Sequence, residues 1–224
     1  FESDCFYYAY IKKLKIPPKF KNLRHEWCQE FHDLTEIEIS PKNKLFTFYD
    51  NKYLLGKREE TSDEFDILYF ACFGFEDYII PSHVKIIKEY SFYERKELRS
   101  ITFEKNSKLE IIKRPFDHSQ LRKLILPISI QNITDDTFYC NSSLIEIYIP
   151  PGNPNYTMYE DKYLLTKTKN DINEFDQIFF ARRDIENVVI PPNIRIIGKA
   201  AFCNCKNIKS LNFGSNSLLT KLMS

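Results

Sequence analysis

The chain repeats itself at a fixed long period without a gap, and this period constrains the fold more than any single motif. The segment FTFYDNKYLL at 46–55 returns as YTMYEDKYLL at 156–165. The segment EFDILYFA at 64–71 returns as EFDQIFFA at 174–181. Two copies in register, which we call superrepeats, predict one stacked structure built from equivalent parts, because self-similarity at a fixed period is typical of repeat architectures.

A shorter unit recurs inside each superrepeat. It reads Leu-x-x-Ile-x-Ile-Pro, followed by a spaced aliphatic pair and then by an aromatic residue. The units begin at Ile11, Leu34, Phe75, Leu98, Leu121, Leu144, Ile185 and Ile208. The steps between successive starts are equal except for two, from Leu34 to Phe75 and from Leu144 to Ile185, which are longer by the same amount. The two longer units therefore contain equivalent insertions, at about 46–63 and 156–173.

The unit itself predicts how the chain folds. Its last three positions alternate in, out and in, which is the period of a short strand. Proline then ends the strand because it has no amide hydrogen to donate. Such a unit buries its apolar side only by stacking on its neighbours. We expect a β-rich repeat solenoid with short helical turns, forming a single domain over 1–224 with superrepeats at 1–110 and 111–224.

Composition narrows the class of protein further. Aromatic residues make up 15% of the chain, and many occupy the repeated interior positions. The net charge is +1, so overall charge gives no general attraction to nucleic acid or to anionic membranes. The sequence shows no apolar stretch long enough to span a bilayer and no secretory signal. Because the chain begins and ends within a unit, we interpret it as a fragment of a longer array.

The six cysteines do not form a shared framework. Cys5, Cys28, Cys72 and Cys140 have no cysteine counterpart one superrepeat away. The Cys203-x-Cys205 spacing fits neither a redox CxxC pair nor a zinc knuckle. We predict thiols that fill small positions in or near the core, and no metal site.

Two units carry a resemblance to a known family. The segments IIPSHVKIIKEYSF and VIPPNIRIIGKAAFCNCKNIKSLNF are similar to the consensus IPxxVxxIGxxAFxxCxxLxxIxIP of the BspA-like leucine-rich repeat proteins, which include bacterial and trichomonad surface antigens. The second insertion resembles a variant unit of that family in which an extra strand pair is fused into one repeat. The Ile-Gly of the consensus appears only as Ile197-Gly198. The resemblance implies a leucine-rich repeat solenoid with two β-hairpin insertions. It also implies a function in adhesion or as a scaffold, with no catalytic residue.

The sequence supplies no enzyme signature of its own. It contains no GxGxxG or Walker loop and no HExxH. The histidines at 25, 32, 83 and 118 occupy unrelated positions in different units. We therefore predict no catalytic residue and no cofactor.

A stacked array presents the outward residues of its first strands as a regular grid. Along this grid, charge alternates in blocks, and the successive rungs are basic, acidic, acidic, basic, basic, acidic, acidic and basic. Such blocks either select a partner of complementary charge or only keep the sheet face soluble and resistant to strand pairing.

Apolar outward residues are the sharper indication of a binding surface. Ile125 and Tyr148 lie on adjacent rungs, with Ile145 nearby. Aromatic anchors surrounded by charge are typical of interface centres. The complete predicted partner-binding set is Arg99, Thr102, Arg122, Lys123, Ile125, Ile145, Glu146 and Tyr148.

The two insertions are a second candidate surface. Each contains two strand-like runs separated by polar turns, which predicts a hairpin. An isolated hairpin is marginally stable, so each must lie against the solenoid or against a partner. The sequence leaves both possibilities open.

A basic cluster lies near the start of the chain, at Lys12, Lys13, Lys15, Lys19 and Lys21. The second superrepeat keeps only Arg122 and Lys123 of it, and aromatic residues are not interleaved. Nucleic acid is therefore not predicted as a partner. Acceptor sequons occur at Asn132, Asn141 and Asn155, about as many as chance gives, so they carry little weight for secretion.

These observations predict a non-enzymatic repeat domain that binds a protein or glycan, and the resemblance alone implies that it is part of a cell-surface or extracellular adhesin or antigen. The alternative is an intracellular structural scaffold, cytoplasmic or cytoskeletal, whose insertions pack against a filament or a larger assembly.

Overall fold

The computed structural model describes residues 10–23, 27–29, 31, 33–169 and 173–223. The described residues form short strands joined by turns and contain no helix. The prediction of a β-rich solenoid is confirmed, whereas the prediction of short helical turns is wrong. The described segments between strands contain turns and bends, as where the Val84 amide donates to the Pro81 carbonyl at 3.1 Å.

In chain order the strands are β1 (Lys13–Ile16), β2 (Glu36–Ile39), β3 (Phe46–Tyr49), β4 (Tyr53–Gly56), β5 (Ile67–Ala71), β6 (Asp77–Ile80), β7 (Ile86–Ile87), β8 (Ser100–Phe103), β9 (Ile111–Ile112), β10 (Lys123–Ile125), β11 (Asn132–Ile133), β12 (Glu146–Tyr148), β13 (Tyr156–Tyr159), β14 (Tyr163–Thr166), β15 (Gln177–Ala181), β16 (Asn187–Ile190), β17 (Ile196–Ile197), β18 (Ser210–Phe213) and β19 (Lys221–Leu222). Every strand from β3 to β9 has a counterpart one superrepeat later, in the series from β13 to β19.

The Leu-x-x-Ile-x-Ile segments form one layer of parallel strands. β1 pairs with β2, the strands β6, β8, β10 and β12 form a four-stranded sheet, and β16 pairs with β18. Partners in this layer hold the same place in successive units, as where Leu14 faces Ile37 and Leu124 faces Ile147. The register of the sheet therefore equals the length of the sequence unit.

The second layer contains the insertions. β3, β4 and β5 pair antiparallel, and β5 then pairs in parallel with β7, which continues through β9 to β11 in one six-stranded sheet. In the second superrepeat, β13, β14 and β15 join β17 and β19 in the same way. Of the two possibilities that the sequence left open, the structure shows the hairpins hydrogen-bonded into the solenoid.

The core lies between the two layers. Inward residues of the first layer, such as Leu124 and Ile147, share one buried cluster with second-layer residues such as Ile112 and Ile133. The predicted aromatic positions stack from unit to unit, with ring centroids 5.9 Å apart for Phe92 and Phe116 and 6.4 Å apart for Phe116 and Phe138. Each unit therefore buries its apolar side against its neighbours, as a solenoid requires.

A buried asparagine joins successive turns in both superrepeats. The Asn43 amide donates to the carbonyls of Pro17 and Phe20 at 2.9 and 3.0 Å, and its Oδ1 accepts from two backbone amides of its own unit. Asn153 likewise donates to two carbonyls of the preceding unit, those of Ile128 and Ile130, each at 2.8 Å; Ile130 is the counterpart of Phe20, whereas the counterpart of Pro17 is Pro127. A side chain that satisfies backbone groups of two units fixes one turn over the next.

Candidate partner-binding surface

The structure brings the two central residues of the predicted surface together. Ile125 on β10 lies directly opposite Tyr148 on β12, and Lys123 lies opposite Glu146. Parallel neighbours in a sheet are about 4.8 Å apart, so these side chains are in reach of one another. Tyr148 is 45% exposed and Ile125 is half-buried, so the pair forms part of the outer face of the four-stranded sheet.

The other residues of the predicted set surround this pair. Arg122 is exposed and Ile145 is half-buried at the starts of their rungs. Thr102 is half-buried on β8, where it lies opposite Ile79. Arg99 is exposed, and its Nη1 donates to the carbonyl of Lys96 at 3.2 Å.

Ion pairs between neighbouring rungs neutralise much of the charge on this face. Lys123 Nζ lies 2.6 Å from Glu146 Oε1, and Lys209 Nζ lies 2.7 Å from Glu186 Oε2. Lys13 pairs with Glu36 at 2.6 Å. The blocks of charge are therefore partly paired within the protein, which favours the interpretation that they keep the sheet face soluble.

The first superrepeat places an ion pair where the second has the apolar pair. Lys15 and Glu38 hold the places that Ile125 and Tyr148 hold one superrepeat later, and Lys15 Nζ lies 3.0 Å from Glu38 Oε2. Hydrogen bonds and charge from Lys15 lower the pKa of the Glu38 carboxyl. The next outward position keeps the same chemistry in both superrepeats, because Lys13–Glu36 corresponds to Lys123–Glu146. The fold thus accepts a charged pair at the place where this surface presents Ile125 and Tyr148.

The structure extends the apolar surface beyond the predicted set. Ile79 is 59% exposed on β6, at the end of the row that runs through Thr102 to Ile125 and Tyr148. The hairpin residue Tyr53 donates its hydroxyl to the Ile79 carbonyl at 2.9 Å, which holds the edge of β6. In the sequence, Ile79 holds an outward position of its unit, which indicates exposure. That it lies in the same row as Ile125 was not evident, because the two residues are far apart along the chain.

Within the described part of the chain, no group of three or more histidine, cysteine, aspartate or glutamate side chains is placed to hold a metal ion. Cys28 and Cys72 are buried, and Cys140, Cys203 and Cys205 are partly buried free thiols. His83 is half-buried and His118 is exposed. Cys5, His25 and His32 lie outside the described residues.

A stacked array of Leu-x-x-Ile-x-Ile strands with a paired second layer defines a leucine-rich repeat solenoid. The model of the BspA type leucine rich repeat region matches six copies in this chain, over residues 1–53, 66–170 and 172–223. The chain belongs to the BspA-type leucine-rich repeat family.

Solved structures share this fold. The pneumococcal vaccine antigen PcpA is 19% identical, with a TM-score of 0.60, and the match covers 95% of this chain and 44% of PcpA. A leucine-rich repeat protein from Eubacterium ventriosum ATCC 27560 is 17% identical, with a TM-score of 0.55, and the match covers 94% of this chain and 55% of that protein. The chain thus spans about half the length of these structures.

A comparison with curated proteins found no match. None of the described residues belongs to a helix that is long and apolar enough to cross a membrane.

Proposed function

We propose that this chain is a non-enzymatic repeat domain that binds a protein or glycan partner as part of a cell-surface adhesin. Ile125 and Tyr148 form the centre of the proposed binding surface, with Arg99, Thr102, Arg122, Lys123, Ile145 and Glu146 around them. The observation that carries the proposal is the replacement of the Lys15–Glu38 ion pair by Ile125 and Tyr148 at the equivalent place.

An exposed apolar pair has a cost that an ion pair does not have. Apolar surface in contact with water favours association, whereas paired charges stay soluble. Since the first superrepeat forms the same strands with Lys15 and Glu38, the apolar pair is not needed for folding. A tyrosine and an isoleucine rimmed by Arg122 and the Lys123–Glu146 ion pair have the composition of an interface centre, with an aromatic anchor inside a polar rim.

Two considerations support placement at the cell surface. The family resemblance is to a group that includes surface antigens, and the fold is shared with a protein described as a pneumococcal vaccine antigen. The scaffold alternative relied on hairpins that were free to dock on a filament. In the structure, β3 to β5 and β13 to β15 instead complete the second-layer sheets of the solenoid itself.

The test transplants the first superrepeat's solution into the second. The double variant Ile125→Lys, Tyr148→Glu is compared with the unchanged chain by capturing partners from intact host cells and matrix, followed by quantitative identification of the bound species. We expect at least one species to bind the variant about thirtyfold more weakly, because loss of an interface anchor costs about 2 kcal/mol. The melting temperature should stay within about 2 °C, because neither side chain is in the core and the first superrepeat forms the same strands with a lysine and a glutamate at these places.

A matched control replaces the ion pair of the first superrepeat by the apolar pair, as Lys15→Ile, Glu38→Tyr. This variant should keep the species that the unchanged chain captures. An identical set of captured species for the unchanged chain and the Ile125→Lys, Tyr148→Glu variant would refute the proposed surface.

A further inference from the structure

The turns that follow β1 and β2 present four lysines in a two-by-two arrangement, which we call the lysine grid: Lys19, Lys21, Lys42 and Lys44. Lys19 and Lys42 hold the same place in successive units, as do Lys21 and Lys44, because their spacing equals the register of β1 against β2. Each pair therefore lies side by side on successive units. All four side chains are exposed, and they line one surface depression.

The backbone holds the lysine grid in place. Both turns are closed by a hydrogen bond, from the Phe20 amide to the Pro17 carbonyl at 3.3 Å and from the Asn43 amide to the Ser40 carbonyl at 2.8 Å. The buried Asn43 side chain then ties the second turn to the carbonyls of Pro17 and Phe20. The positive charges are therefore brought together by stacked turns that are hydrogen-bonded to each other.

The protein compensates only part of this charge. Lys21 Nζ lies 3.3 Å from Glu60 Oε1, and Glu60 is the acidic residue among the described residues that line the depression. Within the described part of the chain, no ion pair engages Lys19, Lys42 or Lys44. This differs from the sheet face beside it, where Lys13 and Lys15 each have a glutamate partner. Like charges about one strand spacing apart repel each other, and a bound anion would relieve this repulsion.

The second superrepeat shows that the fold does not need these lysines. Their counterparts one superrepeat later are Ser129, Gln131, Gly152 and Pro154, and none of these carries a charge. Turns form there too, and the Asn153 side chain likewise bonds two carbonyls of the preceding unit. Neutral residues support the turns of the second superrepeat, so folding does not require the uncompensated charge of the lysine grid. This charge points to a ligand instead.

We propose that the lysine grid binds a sulfated polysaccharide. Such a chain carries several fixed negative charges along a short, flexible length, which matches several ammonium groups within two turns. The lysine ammonium is a point charge that donates hydrogen bonds to oxyanions in many directions, which suits sulfate esters spaced along a flexible sugar chain. This site is separate from the Ile125 and Tyr148 surface and does not depend on its function.

The surroundings of the lysine grid favour a glycan over a nucleic acid. Single-stranded nucleic acid is held by basic grooves combined with aromatic platforms for the bases. The aromatic side chain in this depression is Phe20, which is partly buried and packs against Phe46 with centroids 6.0 Å apart. A duplex needs a wider basic surface than one depression, and the net charge of the chain is only +1.

The test measures binding of a heparin octasaccharide by titration calorimetry. The grid variant Lys19→Gln, Lys42→Gln, Lys44→Gln is compared with the control variant Lys105→Gln, Lys199→Gln, Lys206→Gln, which removes the same charge from exposed sites elsewhere. We expect the grid variant to lose at least tenfold in affinity and the control to lose less than twofold. The slope of log affinity against log salt should also fall by about 2 in the grid variant, since each lost contact removes roughly 0.7 to 0.9.

A single-stranded oligonucleotide with the same number of charges and unsulfated hyaluronan are titrated in parallel. Weaker binding of both than of heparin supports the proposal. Equal losses in the grid and control variants would overturn it, and so would an oligonucleotide that binds as tightly as heparin.

Discussion

The two superrepeats bury a guanidinium at the same place but take it from different residues. In the first, Arg95 donates to the Ala71 carbonyl, and its guanidinium lies 4.7 Å from the Phe70 ring centroid. In the second, Arg183 donates to the Ala181 carbonyl, and its guanidinium lies 4.4 Å from the Phe180 centroid. Ala181 and Phe180 are the counterparts of Ala71 and Phe70 in the superrepeat, but Arg183 is not the counterpart of Arg95.

Each arginine contacts the residue at the position equivalent to that of the other arginine. The counterpart of Arg95 is Cys205, and the counterpart of Arg183 is Phe73. Arg95 stacks on Phe73 with its guanidinium 3.3 Å from the ring centroid, and Arg183 Nη1 lies 3.7 Å from Cys205 Sγ. Burial lowers the pKa of both arginines, that of Arg95 to about 10. The fold places a cationic donor under the hairpin in both superrepeats, and it does not require that donor at a fixed position in the sequence.

The two guanidiniums differ in how much backbone they satisfy. Among the described residues, Arg183 donates to the carbonyls of Phe138, Asn141, Ala181 and Ala201 at 2.9 to 3.3 Å, whereas Arg95 donates to those of Ala71 and Tyr93. Both guanidiniums join neighbouring units, because Ala71 belongs to the unit before that of Arg95, as Phe138 and Asn141 belong to the unit before that of Arg183. The second guanidinium donates to more carbonyls and is therefore the more important of the two for the stability of the array.

The largest expected effect comes from removing Arg183. The Arg183→Met variant should lose about 3 to 5 kcal/mol in free energy of unfolding, because several buried carbonyls lose their donor. Arg95→Met should lose less, about 2 to 3 kcal/mol, because fewer carbonyls depend on it. Urea denaturation of both variants measures the difference, and a greater loss for Arg95→Met would contradict the comparison.

Asn43 and Asn153 provide the case in which the superrepeats should behave alike. Each side chain bonds two carbonyls of the preceding unit, at 2.8 to 3.0 Å. Replacement by alanine should cost about 2 to 3 kcal/mol at either place, since buried backbone groups are left without partners. Denaturation curves of the two single variants test this, and costs that differ by more than about 1 kcal/mol would show that the turns are not equivalent.

Tyr53 and Tyr163 should give a smaller and unequal effect. The Tyr53 hydroxyl donates to the Ile79 carbonyl at 2.9 Å, whereas the Tyr163 hydroxyl lies 3.4 Å from the Val189 carbonyl. We expect Tyr53→Phe to cost about 1 kcal/mol and Tyr163→Phe about half of that, because the longer hydrogen bond is weaker. Thermal melts of the two variants should rank in this order, and the reverse order would count against the edge-holding role of Tyr53.

Alkaline pH should affect the first superrepeat through its buried thiols. Burial raises the pKa of Cys28 to about 12 and that of Cys72 to about 11, from an ordinary value near 9.0. Because the pKa values are higher in the folded state, the neutral thiols contribute their full stability below pH 9. This contribution is lost as the pH rises toward 11 or 12, since the thiols of the unfolded state ionise first. The second superrepeat has Phe138 and Arg182 at these positions.

The measurement is the free energy of unfolding between pH 8 and pH 10.5, for the unchanged chain and for Cys28→Ala, Cys72→Ala. The double variant should be less stable at pH 8 but should lose stability more slowly as the pH rises. Parallel curves for the two proteins would show that the thiols do not contribute to the alkaline loss.

The fold was predictable because its determinants are periodic. The spacing of apolar residues indicated the strands, their stacking and the extra strand pair in each long unit. The helical turns were predicted wrongly because apolar spacing indicates which residues face the core but does not distinguish a helical turn from a non-helical one. The role of Asn43 and Asn153 was not visible, since an asparagine in a turn usually indicates only the turn itself.

The proposed binding surfaces were predictable only where neighbouring side chains lie in adjacent units. Ile125 and Tyr148 were placed together by the register of the repeat unit. The basic cluster that includes Lys19 and Lys21 is evident along the chain. That Lys42 and Lys44 lie beside them is evident only when residues at the same place in successive units are compared. The correspondence of Arg95 and Arg183 was not evident from the sequence, because the two guanidiniums share a place in the fold but not a position in the superrepeat.

The most direct test of the account transfers the second superrepeat's arrangement into the first. The free energies of unfolding of Phe73→Arg, Arg95→Cys and the double variant form a double-mutant cycle with the unchanged chain. If the two superrepeats share one guanidinium site, the double variant recovers about 1 to 3 kcal/mol relative to the sum of the single losses. A double variant that is as unstable as that sum, or less stable, would show that the two sites are not equivalent.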